Sequence, residues 1–497
     1  MRTFVNNTSI PVPDPMKPAF PQQNGNSATS ATRVDSLVEG LDSRTAAGPS
    51  PTATSASEQL TESDAWRLHG KRVAMVMFSF FPGDPRPRRA AEALVSAGMT
   101  VDFICLAGEG DDAKYETPNG INVLRLPIRH RRGSIFRYIY QYLAFLLASS
   151  AIVAARSLTR GYSLVYVHNM PDFLVLCGLI PKLFGVKVIL DLHDPMPELM
   201  RTIFGFRPGA FAVRLLQWLE KWSLAMADSI ITVNLACARL FTSRSCPARK
   251  MNVVMNAPDE RIFRLNSSRP RTTTRGASHE AFVIIYHGSL VERNGLDLAV
   301  DALAQVRKSV PSAELRIYGW RTPYLDRIMD SIRSKGLQEA AHYLGPRSLE
   351  QVVQAIEECD IGVIPNRRNI FTELNTPTRI FEYLALGKPV IAPRSAGICD
   401  YFNDSSLLYF ELGNADDLAE KIKYAYSHPA ELAKIARRGQ AVCQEHCWRK
   451  ERMRLLELVS RLLREGVTRP GFAGKADAPH SVQRSQQPRI WTDKVEP

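Results

Sequence analysis

The sequence predicts an α/β protein with two doubly wound parallel sheets. Short apolar runs recur along the chain, each followed by an amphipathic helix pattern. This alternation stops once, at a polar stretch near the middle, and then restarts. A strand buried on both faces reads as a continuous apolar run, and strands alternating with helices build a parallel sheet covered on both sides. In such sheets, ligands bind at the carboxyl ends of the strands.

The first run is RVAMVMFSF, Arg72–Phe80. The loop FPGDPRP follows, then a helix face marked by Ala90, Ala91, Leu94 and Val95 that ends at Gly98. TVDFICL, LVYVH, VKVILDLH and SIITVN supply further strands. From Asn256 to Glu280 the chain turns polar, basic and Pro-containing, which reads as a linker. Alternation then resumes with FVIIYHG, LDLAVDALAQV, AELRIYG, YLDRIMDSI, LEQVVQAIEE and DIGVIP. The expected organisation is a first Rossmann-like domain at 70–256, a linker at 257–280 and a second Rossmann-like domain at 281–447. A C-terminal helix at 448–465 is expected to pack back on the first domain. Residues 1–69 and 466–497 are polar and lack periodicity. They bury too little apolar surface to offset their ordering entropy, so disorder is expected there.

The 497 residues carry 63 Lys and Arg against 50 Asp and Glu, a net charge of +13. That balance favours anionic partners. No basic module interleaved with aromatics appears, so nucleic acid is not expected. The 8 cysteines are scattered without a CxxC pair. Cys443, His446 and Cys447 fall short of the four ligands that a structural zinc needs, so no metal is expected. Scattered cysteines suggest a reducing cytoplasm, and the first residues show no apolar signal core. Tyr138–Ala155 is uncharged for about the length that crosses a bilayer. Strands on both sides must share one sheet, so a buried or half-buried helix is the expectation. A membrane-spanning helix is one alternative. Another is an interfacial helix whose Arg129, Arg131, Arg132 and Arg137 meet anionic lipid.

The stretch NTPTRIFEYLALGKPVIAP, Asn375–Pro393, carries the chemistry. Thr376 is expected to N-cap a short helix with Pro377 at its first position. Amides of Thr378, Arg379 and Ile380 would then form a phosphate cradle. Glu382 stands four residues after Thr378, on the same face, where a carboxylate accepts hydrogen bonds from ribose hydroxyls. On residues alone, a solvated glutamate beside a structural cap remains open. A second polar cluster, Asp191, His193, Asp194 and Glu198, ends a strand in DLHDPMPEL, and His168 and Asn169 end another.

TPTRIFEYLALGKPVIA resembles the second-domain signature of the large retaining glycosyltransferase family 4, in the subgroup with a PTK/R-x-FEY style. The likeness extends from about Arg72 to Arg464, because SFFPGDPRPRRAAEALVSAGMTVDFICL, LVYVHNMPDFLVL, VILDLHDPMPEL, YHGSLVERNGLDLAVDAL and CDIGVIPNR also stand in family order. The resemblance implies the GT-B fold, two Rossmann-like domains facing across a cleft. It implies sugar transfer from a nucleotide diphosphate to a hydroxyl with retained configuration, needing no metal or other cofactor. The leaving phosphate then serves as base. The setting would be cell-envelope or exported polysaccharide synthesis, with a lipid-linked acceptor, in the cytoplasm or on the inner face of the membrane. Carried over residue by residue, donor binding falls to Gly288, Ser289, Arg293, Asn375, Thr376, Thr378, Arg379 and Glu382. His193, Arg293 and Glu382 take catalytic roles. Asp84, Arg86, His168, Asn169, Asp194 and Glu198 line the acceptor side.

Two departures from the pattern stand out. Ser289 and Asn294 replace the usual Arg and Lys of the donor-phosphate loop. Leu374 stands where the first of two paired glutamates is usual, with Glu373 adjacent but out of phase. Two other readings follow: a nucleotide-sugar 2-epimerase of the same fold, or a silent scaffold that kept the nucleotide site.

Overall fold

The structure is a computed structural model that describes residues 68–108, 115–116, 120–128, 135–265 and 281–464. The disorder expected for most of 1–69 and for 466–497, and the Arg129, Arg131 and Arg132 of the basic patch, fall outside the described residues.

The first domain is one 8-stranded sheet in the order β3-β4-β2-β1-β5-β6-β7-β8. Its elements in chain order are β1 (Arg72–Phe80), α1 (Pro85–Ser96), β2 (Thr100–Leu106), β3 (Tyr115–Glu116), β4 (Ile121–Leu126), α2 (Ile135–Arg160), β5 (Leu164–His168), α3 (Leu179–Leu183), β6 (Lys187–Leu192), α4 (Met196–Phe204), α5 (Phe211–Met226), β7 (Ser229–Thr232), α6 (Leu235–Arg244) and β8 (Met251–Val253). Among the described residues, only the β3–β4 pairing is antiparallel. The period-2 alternation of side chains splits β1 between two cores. Val73, Met75 and Met77 face one side, and Ala74 and Val76 the other.

The second domain is a 6-stranded sheet, β11-β10-β9-β12-β13-β14, with every pairing parallel. It comprises β9 (Phe282–His287), α7 (Leu296–Val306), β10 (Ala313–Tyr318), α8 (Pro323–Ser334), β11 (Ala341–Tyr343), α9 (Leu349–Glu357), β12 (Ile361–Val363), α10 (Ile370–Leu374), α11 (Thr378–Ala385), β13 (Val390–Arg394), α12 (Ala396–Cys399), β14 (Leu408–Glu411), α13 (Ala415–Ser427) and α14 (Pro429–Glu445). β9 again divides its side chains: Phe282, Ile284 and Tyr286 join one core, Val283 and Ile285 the other.

The chain passes between the domains at a sharply defined point. Val254 is buried in the first domain's core, while Met255 and Phe263 are buried in the second's. The start of the stretch read as a polar linker is therefore packed structure. Among the described residues the chain ends in helix α15 (Trp448–Arg464), which returns to the first domain and buries Leu455, Leu456, Val459 and Leu462 in its core. Buried Glu451 accepts the Met255 N–H at 2.8 Å, which fastens this helix to the crossing point.

Candidate active site

Two loop systems at the carboxyl ends of the sheets meet between the domains. On the first-domain side the organising group is Asp191, the penultimate residue of β6, only 1% exposed. Arg86 of α1 grips it through Nε at 3.1 Å and Nη2 at 2.7 Å. Tyr166 donates its hydroxyl to Asp191 at 2.9 Å. Burial alone would push the Asp191 carboxyl up, but the Arg86 charge holds it below the usual range. Arg86 also donates to the Val254 carbonyl at 2.8 Å, at the interdomain crossing. This buried pair braces the site rather than lining it.

His168 stacks on Tyr166 with ring centroids 4.7 Å apart. Its Nδ1 lies 3.0 Å from His193 Nε2. Burial lowers the His168 pKa to about 3, so the ring is neutral at pH 7. Asn169 accepts the His193 N–H at 2.8 Å and donates to the Asp194 carbonyl at 3.0 Å and to Asp172 at 3.0 Å. It thus splices the loops after β5 and β6, and its amide is committed to protein. His193 itself stays partly exposed, with Nδ1 4.0 Å from Asp84. Asp84 caps α1 by accepting the Arg86 N–H at 3.0 Å. Among the described residues, His168, Asp191 and His193 offer atoms within 4.8 Å of one another, as a metal site would. A cation there would have to displace Arg86 from Asp191.

Glu198, grouped with His193 on sequence grounds, is placed elsewhere. Its carboxylate receives both Arg244 Nη groups, at 2.6 and 2.9 Å, beside the equally buried Glu220. The α4 register turns it inward, which corrects its assignment to the acceptor side.

On the second-domain side, β9 ends at His287 and the chain turns at Gly288, whose φ is +120°. A Cβ at Gly288 would meet Arg379 Cδ at 3.3 Å, so the loop and the start of α11 are neighbours. Arg379 lies over the Tyr286 ring at 4.7 Å and donates to the His287 carbonyl at 2.8 Å. The cap expected of Thr376 is not made. Pro377 occupies the N-cap position, where no side chain caps the helix, and the Thr376 hydroxyl donates to the Gly397 carbonyl at 2.6 Å. A tertiary acceptor outcompetes the local amide. The Ile380 N–H turns back to the Pro377 carbonyl at 3.1 Å, which leaves Thr378 and Arg379 as the first-turn amides. Thr378 donates its hydroxyl to the Asn256 carbonyl at 2.9 Å, tying α11 to the crossing point. Asn375 ends α10 and borders the same turn.

Glu382 stands one turn into α11 with its side chain 16% exposed, and Oε2 is 3.3 Å from His287 Nε2. Burial pushes its pKa up to about 7, opposed by the Arg379 and Arg89 charges. His287 is lowered to about 3 by burial and by Arg379, so it is neutral. Arg89 of α1 reaches across from the first domain, donating to Asn256 Oδ1 at 3.0 Å and to the Ala257 carbonyl.

Arg293 bridges the two systems. Its guanidinium lies 5.6 Å over the Phe371 ring, and its charge acts on Asp194, whose pKa burial raises and His193 and Arg293 pull back. Within its loop, Asn294 donates to the Ser289 carbonyl at 2.9 Å, and Tyr286 donates to the same oxygen at 2.8 Å. Asn294, one of the residues that depart from the family pattern, therefore ties its loop to the backbone at Ser289. Leu374 packs against the first domain's core, and its carbonyl accepts from Asn234 at 2.9 Å. Glu373 points the other way and accepts the Ala396 N–H at 3.0 Å.

Sequence reasoning missed Arg89 and His287. Arg89 lies one helical turn after Arg86, and His287 ends a strand immediately before the loop glycine. Those positions were the available signals.

Residues 84–257 match the family model "Glycosyl transferase 4-like domain", and residues 273–442 match "Glycosyl transferases group 1". A phosphatidylinositol N-acetylglucosaminyltransferase component from Arabidopsis thaliana is 23% identical over 72% of this chain and 74% of its own length. The amylovoran biosynthesis glycosyltransferase AmsK of Erwinia amylovora is 24% identical over 31% of this chain, and the match spans only 36% of that relative. Among solved structures, sucrose-phosphate synthase from Thermosynechococcus elongatus superposes with a TM-score of 0.65 at 17% identity, covering 80% of this chain and 100% of its own. Anabaena HepE, solved in complex with UDP, gives 0.58 at 17% identity, covering 80% of this chain and 100% of its own. The fold is thus GT-B, two Rossmann-like domains. The two domains match glycosyltransferase family models in chain order, which supports a group 1, 4-like glycosyltransferase family.

Proposed function

We propose that this protein transfers a sugar from a nucleotide diphosphate to an acceptor hydroxyl with retained configuration. The observation that carries the reading is the grouping of Gly288, the uncapped start of α11, and Glu382 at one strand end of the second domain. Uncapped amides and a helix dipole suit a diphosphate. In its ionised form, Glu382 accepts hydrogen bonds from the ribose hydroxyls. Arg293 stands between the two loop systems, where a cation stabilises the charge that develops on the leaving diphosphate. His193, partly exposed and braced by Asn169, positions the donor sugar against the acceptor. No carboxylate nucleophile is assigned, and the leaving phosphate takes the acceptor proton.

HepE, a structural neighbour, has been solved with UDP and with UDP-glucose, which makes UDP-sugars the first donors to try. The polysaccharide and lipid-sugar relatives support a lipid-linked or polysaccharide-precursor acceptor. Incubation with a UDP-, GDP-, ADP- or dTDP-sugar and a polyprenyl-linked sugar tests the reading. Nucleotide release that requires both donor and acceptor is expected, with the anomeric configuration retained. An altered sugar formed without any acceptor would favour the 2-epimerase, and donor binding with no turnover would favour the scaffold.

A further inference from the structure

We infer that the outward face of the α2–α3–α5 layer is a docking surface for an anionic phospholipid bilayer. α2 and α5 cover the same side of the first sheet, since Phe145 and Val153 of α2 and Leu224 of α5 share one core with β5 and β6. α3 lies against α2. The outward residues of this layer include several large exposed apolar side chains, the kind of grouping that marks an interaction surface. Phe211, Leu215, Trp218 and Trp222 form one stripe along α5 at helical spacing, and Phe211 and Trp218 are 80% and 59% exposed. On α2, Tyr140 and Leu147 are 71% and 70% exposed.

Charge identifies the occupant. Within Ile135–Arg160, Leu179–Leu183 and Phe211–Met226 the sole acidic residue is Glu220. It is 0% exposed and bound to Arg244, so it offers nothing to a partner. Arg207, Arg214 and Lys221 are exposed and form no ion pair among the described residues. Aromatics beside cations, with acids withheld, match the headgroup region of an anionic leaflet. α2 is apolar and long enough to cross a membrane. Crossing is excluded because β4 and β5, which flank it in sequence, belong to the same sheet. The layer therefore lies on the bilayer. α4 packs against α5 on one side and, through Leu199 and Met200, against Phe371 of the second domain on the other. The docked face thus adjoins the interdomain site. The inference depends on this surface and not on the transferase reading.

The test is flotation of the full chain with phosphatidylglycerol-containing vesicles and with pure phosphatidylcholine vesicles. Binding to the anionic vesicles alone, weakened by high salt, is expected. R214Q and K221Q should each reduce it roughly fivefold, and W218S/W222S should abolish it, with melting curves confirming that the variants fold. Donor binding needs no vesicle, so failure here is distinguishable from failure of the transferase reading. Equal binding to both vesicle types, or unchanged binding by the folded variants, would overturn the inference. So would a dimer in light scattering that W218S/W222S converts to monomer, because a second copy would then cover the face.

Discussion

Asp191 is a buried carboxyl and Glu382 a half-buried one, yet their neighbours drive them in opposite directions. Asp191 has Arg86 in direct contact and stays ionised. Glu382 meets a neutral histidine and rises to about 7 from an ordinary 4.5. A carboxyl raised on folding holds its proton in the native state after the unfolded chain has lost it. Stability of the native protein should therefore fall as pH climbs from about 4.5 to about 7 and level off above. Glu382→Gln removes this dependence, so its melting temperature should exceed that of the unsubstituted protein by a margin that grows across that window. Parallel melting curves against pH check it. Arg86→Ala leaves the buried Asp191 charge unpaired and should cost about 3–5 kcal/mol in denaturant unfolding.

At the scale of elements, the loops matter more than the helices they join. Gly295 has φ +67°, and a Cβ there would sit 1.9 Å from the Pro365 carbonyl oxygen. Gly295→Ala should destabilise by at least about 1–3 kcal/mol from backbone strain and weaken donor binding by shifting Arg293, as paired melting and titration experiments would measure. The central strands were legible as apolar runs such as FVIIYHG alternating with helix patterns, whereas β3, β4, β8 and β14, which are shorter or more polar, were not singled out. Glu382 was legible for a similar reason, since helical spacing fixes its side of α11. The Thr376 cap was misread because its hydroxyl prefers a carbonyl twenty-one residues away. Glu198 was misplaced because its partner Arg244 lies forty-six residues on. Contacts at such separations depend on the fold, and no local pattern announces them.

The first domain is closed by α15. α15 follows the second domain in sequence but completes the core of the first. Truncation after Cys447 would expose the core partners of Leu455, Leu456, Val459 and Leu462 and should abolish soluble expression or lower the melting temperature sharply. An untouched melt would show that the first domain stands alone. Interdomain ties at Asn256 and Glu451 hold the two loop systems in register, so a nucleotide sugar bound as proposed should stabilise both domains together. The most direct measurement is calorimetric titration of UDP-sugars, then other nucleotide sugars, into the native protein and into Glu382→Ala. One donor should bind the native protein, with affinity at least about tenfold weaker in the variant, the loss of a strong charge-assisted hydrogen bond. Failure of every nucleotide sugar to bind, or equal affinity in the two proteins, would contradict the assignment of α11 as the donor site.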